Sequence, residues 1–182
     1  MELLSEVSGR VLELGVGNGL NLPHYPAGVT EIVAIDPEPY LLSLAKGQPV
    51  DEQINVTMAR AAAEALPFGD ATFDTVVSSL ALCSVESPER ALFECRRILR
   101  PGGTLRFYEH VGDQRPSRLA TLQRWGNPVW RPLVGGCRLT LDTEAVIAAS
   151  GFQIEQCRTF RYRPTWTAFL TSPHVLGSAR RC

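Results

Sequence analysis

Glycine occupies positions 15, 17 and 19, directly after the run Val11-Leu12-Glu13-Leu14, and Asp36 closes the next apolar run, Glu31-Ile32-Val33-Ala34-Ile35, just before Pro37. Glycine at alternate positions permits positive φ and leaves the backbone bare, so a ligand can lie where a Cβ would otherwise stand. Three glycines alone fit a tight turn after a strand. The acid decides the reading: at a spacing of about 20 residues, a βαβ unit brings a carboxylate beside the glycine loop, where it accepts hydrogen bonds from both hydroxyls of a ribose. Two ribose-bearing cofactors compete. A dinucleotide loop, G-x-G-x-x-G, requires glycine at position 20, where this chain has Leu20, and a helix N-terminus bare enough for a pyrophosphate. S-adenosylmethionine requires neither.

A second group of residues is suited to proton chemistry. Glu109 and His110 end the apolar run 104–108, with His24 and Tyr25 as second choices in the segment after the glycine loop. For each histidine, a hydrogen-bonded structural role competes with that of a base. The five cysteines, at 83, 95, 137, 157 and 182, are widely spaced and form no C-x-x-C pair, so no metal site is expected and they read as reduced thiols of a cytoplasmic protein.

These residues need a frame. Apolar runs predict parallel strands at 11–14, 31–36, 53–58 (a weak edge strand), 73–79 and 104–108, alternating with helices. One helix spans 38–46. Another is opened by Ser87-Pro88 and stopped by Pro101-Gly102-Gly103, and a last one covers 142–150. The fourth strand delivers Ser79 and Leu80 to the carboxyl end of the sheet, where open α/β sheets bind their ligands. Residues 115–134 hold more Trp, Arg and Pro than a packed helix would; they read as an amphipathic cover with solvated arginines, ahead of the alternative of a basic aromatic face for an anionic or lipid-like acceptor. Segments 152–160 and 166–171 are expected to close the sheet as an antiparallel hairpin.

The 182 residues suffice for one domain with a full core, and a formal net charge of −1 gives no basic field for nucleic acid. No apolar run approaches the roughly 18 residues that span a bilayer. The first ten residues lack the apolar core of a signal peptide.

The pattern E-x-G-x-G-x-G, with Glu13 in the strand, resembles motif I of class I S-adenosylmethionine-dependent methyltransferases. Ala63-Glu64-Ala65-Leu66-Pro67-Phe68 followed by Phe73-Asp74, and Arg96–Gly103 before the fifth strand, resemble further signatures of that family. The resemblance implies a Rossmann-like α/β fold: a seven-stranded, mostly parallel sheet in the order 3-2-1-4-5-7-6 with helices on both faces. It implies S-adenosylmethionine as cofactor and S-adenosylhomocysteine as product, bound by Glu13, Gly15, Gly17, Gly19, Asp36, Pro37, Ala62, Ala63, Glu64, Ser79 and Leu80. Where the family carries an acid for the adenine amino group, this chain has Ala62. The family's N-terminal lid is expected to be missing or shortened, leaving the site more open.

Segments 19–28, 80–85, 109–111, 136–140 and 172–174 are similar to the methyltransferase-like thiol S-methyltransferases and their bacterial relatives. The acceptor implied is a small molecule, a thiol among the candidates. Phospholipid and quinone-precursor methyltransferases share much of the same core, and a cofactor-binding module with little activity is the non-enzymatic alternative. Transfer to a thiol is an in-line displacement at the sulfonium carbon. It asks mainly for orientation and a dry site, with His110 or Glu109 to help ionise the acceptor.

Overall fold

A computed structural model describes residues 2–163 and 165–182. Seven strands form one sheet in the order β3-β2-β1-β4-β5-β7-β6. β1 (Gly9–Leu14), β2 (Val29–Asp36), β3 (Asn55–Arg60), β4 (Phe73–Ser79) and β5 (Leu99–His110) run parallel, while β7 (Pro173–Arg181) is antiparallel to both β5 and β6 (Phe152–Arg161). Side chains alternate between the two faces, as the two-residue period of a strand demands. Leu12, Leu14, Val33, Ile35 and Val76 join one apolar cluster, whereas Val11, Ile32, Ala34 and Val77 join the other.

Helices cover both faces. On the first, α2 (Pro88–Ile98) buries Ala91, Leu92, Cys95 and Ile98, and α4 (Thr143–Ala149) buries Ile147. On the second, α1 (Pro39–Ala45) buries Leu42 and Ala45. Ser87 caps α2, its hydroxyl accepting from the Arg90 amide at 3.3 Å, and Pro88 follows at the first helical position. Residues 2–7 pack on the second face. There the buried Arg106 guanidinium donates to the carbonyls of Leu3 and Glu2 and pairs with Glu6 at 2.9 Å.

Arg97 fastens the connection from β3 to β4. Its guanidinium donates to the carbonyls of Phe68 and Leu66 and pairs with Glu94 and Asp70, each at 2.8 Å. A planar fork with five donors suits this task in a way that a lysine ammonium would not.

Several expectations are corrected. The last strand is not 166–171, where a 3-10 turn spans Trp166–Phe169; it is Pro173–Arg181, paired on both sides. β3 sits two residues later than predicted and β5 extends beyond 104–108 in both directions. The segment after Gly19 forms only a short 3-10 turn, Leu22–His24. Residues 115–134 do form a helix, α3 (Arg118–Leu133), with Pro128 and Pro132 inside it. Arg118, Arg124 and Arg131 are exposed as expected, but as a cover the helix buries little, Leu119 and Gln123, while Trp125 (81% exposed), Val129 and Leu133 face outward. Among the described residues no helix is long and apolar enough to cross a membrane.

Candidate functional site

A cavity of about 640 Å³ opens at the carboxyl ends of β1, β2 and β4. β1 lies between β2 and β4, so the chain winds away from it in both directions, the place where open α/β sheets hold ligands. Most of the wall comes from the glycine loop, the turn after β2, the connection after β3 and the loop after β4, with Gly135 added from beyond residue 133.

The three glycines serve two different ends. A Cβ on Gly15 would stand 2.6 Å from Ala81 Cβ, and one on Gly19 would stand 2.9 Å from Ala45 Cα, so both positions are fixed by packing. Gly17, at φ +55°, would meet nothing within 4 Å and lines the cavity, so its bare backbone faces open space. The Gly17 amide donates to Asp36 Oδ2 at 3.0 Å, and the Glu38 amide donates to Oδ1 at 2.9 Å. Asp36 is only 6% exposed but lines the cavity. A carboxylate has about four acceptor sites. Two remain for a pair of vicinal hydroxyls.

Of the residues assigned to the cofactor, Gly15, Gly17, Asp36, Pro37, Ala62, Ala63, Glu64, Ser79 and Leu80 line this cavity; Glu13 and Gly19 do not. Glu13 is buried beneath the loop, where its carboxylate accepts from Asn21 Nδ2 at 2.8 Å and from the Tyr25 hydroxyl at 3.1 Å. Burial pushes its carboxyl up to about 7. Glu13 thus shapes the loop from below. Tyr25, a second-choice base, is spent on this contact, and His24 is exposed. Glu64 is also engaged structurally, accepting from the amides of Glu86 and Ser87 just before α2. Leu80, at φ +56° and 46% exposed, keeps a backbone conformation that non-glycine residues seldom adopt, with its amide held by the Tyr108 carbonyl.

Glu109 and His110 end β5 as expected, but neither lines the cavity. Glu109 is wholly buried: Oε1 accepts from the Ser78 hydroxyl and the Ala81 and Leu82 amides at 2.7–3.1 Å, and Oε2 accepts from the Cys83 amide at 3.4 Å. Burial raises its pKa against the pull of those donors. The carboxylate holds the 80–83 loop in shape, and through it the cavity wall. His110 Nε2 lies 3.2 Å from Cys137 Sγ, which also receives the Trp130 indole N–H at 3.5 Å. The hydrogen bond with Cys83, followed by that with His110, holds the Cys137 thiol well below its usual range, and the same Cys83 contact together with burial pushes Cys83 up.

Glu38, Leu41, Glu86 and Gly135 line the cavity without having been expected there. Only Glu38 left a sequence signal, two residues after Asp36 on the same turn; Gly135 arrives from the far end of α3 by folding alone.

The bare Gly17 face, the available acceptors on Asp36 and a cavity within the range of ligand sites fit an adenosyl cofactor. When bound, that group supplies an electrophilic methyl on a sulfonium. The family described as a methyltransferase domain matches residues 12–107. The chain is 33% identical over 181 residues to the thiol S-methyltransferase TMT1B of Homo sapiens, covering 97% of this chain and 73% of that one. It is 38% identical over 114 residues to a phosphatidylethanolamine N-methyltransferase of Cereibacter sphaeroides, covering 59% and 53%. A crystal structure of an S-adenosylmethionine-dependent methyltransferase from Mesorhizobium loti superposes with a TM-score of 0.70 at 25% identity, covering 99% and 94%. With the glycine loop, its acid and the strand order in agreement with these matches, the chain belongs to the class I S-adenosylmethionine-dependent methyltransferases.

Proposed function

We propose that this methyltransferase acts on a small thiol. One observation carries the choice of acceptor: the described cavity lining includes Asp36, Glu38, Glu64 and Glu86 but no Lys, Arg or His. An acid-lined site favours a sulfonium cofactor and repels a phosphate-bearing acceptor, since like charges in a low-dielectric cleft are costly. A thiol enters such a site neutral, and with carboxylates the only bases among the lining side chains it gives up its proton there far more readily than a hydroxyl does. The kinship with TMT1B, a thiol S-methyltransferase, points the same way.

On this reading Gly17 and Asp36 seat the cofactor, Ala62 and Ala63 border its base, and the loop held by Glu109 forms the wall against which the acceptor lies. Glu109 is a positioning residue and His110 acts through Cys137 rather than on substrate. The test is transfer from methyl-labelled S-adenosylmethionine to a panel of small alkyl and aryl thiols, with phosphatidylethanolamine vesicles and quinols as comparison. Labelled thioether formed at rates well above the other acceptors supports the proposal; label appearing in the phospholipid or quinol with none in any thiol overturns it.

A further inference from the structure

Three side chains that the sequence scatters meet outside the cavity. Among the described residues, Cys83 Sγ, Cys137 Sγ and a ring nitrogen of His110 lie within 4.8 Å of one another, and all three residues are buried at 2%, 8% and 3% exposure. Each comes from a different element: the loop after β4, the end of β5 and the turn after α3. We propose that this Cys-His-Cys cluster is a binding site for a divalent thiophilic cation of the zinc class.

Geometry supports the assignment. Ligands sharing a zinc ion at about 2.3 Å for sulfur and 2.0 Å for nitrogen stand roughly 3.5–4 Å apart. Here Cys137 Sγ and His110 Nε2 are 3.2 Å apart and the whole set falls within 4.8 Å, so small side-chain adjustments seat an ion. The donor set selects the ion. Two thiolates and an imidazole are soft or borderline ligands, which calcium and magnesium avoid in favour of oxygen. Charge narrows the choice further. Two thiolates and a neutral imidazole around a divalent ion sum to zero, whereas a monovalent ion leaves a net negative charge buried beside Glu109, where an unpaired charge is costly. Binding releases to solvent whatever protons the two sulfurs and the imidazole still carry, so that both sulfurs bind as thiolates and the imidazole as the neutral ring.

The surroundings suit a ligand sphere. The Trp130 indole donates to Cys137 Sγ, the kind of outer contact that tunes a metal thiolate. A tetrahedral ion has one position left after three protein ligands. Ser84 Oγ lies 3.6 Å from Cys83 Sγ, and Ser84 also lines the cavity. An ion at the cluster therefore ties together the 80–85 loop, β5 and the segment that carries Gly135, all of which back the cavity wall. The proposal does not depend on the identity of the methyl acceptor.

The test uses the full chain with the exposed Cys157 and Cys182 changed to Ser, purified reduced and metal-free. Added Co²⁺ is expected to bind at one equivalent with thiolate-to-cobalt charge-transfer absorption in the near ultraviolet, and Zn²⁺ is expected to displace it. Cys83→Ser, Cys137→Ser and His110→Gln should each weaken cobalt binding by more than the roughly 10–100-fold that loss of an outer-sphere partner produces. Because those variants risk misfolding, a second measurement leaves the three residues intact: one equivalent of Zn²⁺ should slow alkylation of Cys83 and Cys137, read by mass spectrometry, by about tenfold or more. No charge-transfer band at stoichiometric cobalt, or alkylation rates unchanged by zinc, overturns the site. So does recovery of a Cys83–Cys137 disulfide from a protein that binds neither ion when reduced.

Discussion

Replacing Gly17 by Ala separates a loop that merely turns from one that seats a cofactor. At φ +55° an L-residue is strained by about 1–2 kcal/mol. The new methyl meets no protein atom within 4 Å, so no steric term adds to this. For a chain of this size each kcal/mol lowers Tm by about 2–4 °C, which gives a drop of roughly 2–8 °C in a protein that still folds. The methyl projects into the cavity. Overpacking a fitted site by one carbon costs about 1–3 kcal/mol, so the Kd for S-adenosylhomocysteine should rise roughly 5–150-fold in calorimetry at a temperature where the variant is folded. Gly19→Ala is the control: its Cβ would lie 2.9 Å from the Ala45 backbone, so it should melt lower than Gly17→Ala while its folded fraction keeps near-parental affinity. A Gly17→Ala protein that melts within the stated range yet binds as tightly as the parent would refute the reasoning.

Asp36→Ala should weaken S-adenosylhomocysteine by about 1.5–3 kcal/mol, the range for hydrogen bonds to a charged group, and also lower Tm because the Gly17 and Glu38 amides lose their acceptor; unchanged affinity would place the ribose elsewhere. Glu13, raised from 4.5 to about 7, binds its proton more tightly folded than unfolded. Its contribution to stability is therefore complete below pH 4.5 and is lost as pH rises through about 7, a change of about 3 kcal/mol by linkage. Urea titrations across this window should show Glu13→Gln losing that slope, and parallel curves for parent and variant would exclude Glu13 as its source. Glu109→Gln, which disturbs the carboxylate holding the 81–83 amides, should lower Tm without altering the shape of the pH–rate profile; loss of one limb of that profile would restore Glu109 as a base.

Much of the site was legible because parallel strands write their burial into the sequence. The runs ending at Leu14 and Asp36, the glycines between them and the acid at the second strand end specify the candidate cavity's loop and carboxylate through local rules. The last strand was not legible for the opposite reason. Residues 173–181 include His174, Gly177, Ser178, Arg180 and Arg181, a poor apolar pattern, and they form a strand because β5 and β6 pair with them on both sides. Segment 166–171 is the more apolar candidate, yet a 3-10 turn is all it forms.

Glu109 and His110 looked like rim groups because they end a strand. Strand position does not say where a side chain goes, and here both turn to buried partners supplied by the β4 loop and by the turn after α3. The cysteines show the same limit: no spacing rule joins 83, 110 and 137, and only the closed fold brings them to within 4.8 Å. In α3 the arginines are solvated as the composition suggested, but the sequence did not show that the helix is anchored by Leu119 and Gln123, whose side-chain amide donates to the Leu170 carbonyl at 2.8 Å.

The account rests on an adenosyl cofactor seated at the carboxyl ends of β1, β2 and β4. Isothermal calorimetry of the full chain with S-adenosylhomocysteine measures this most directly. One equivalent should bind, with competition from S-adenosylmethionine and with affinity reduced in Gly17→Ala and Asp36→Ala. Absence of any binding heat and of any Tm shift at millimolar ligand would contradict the account.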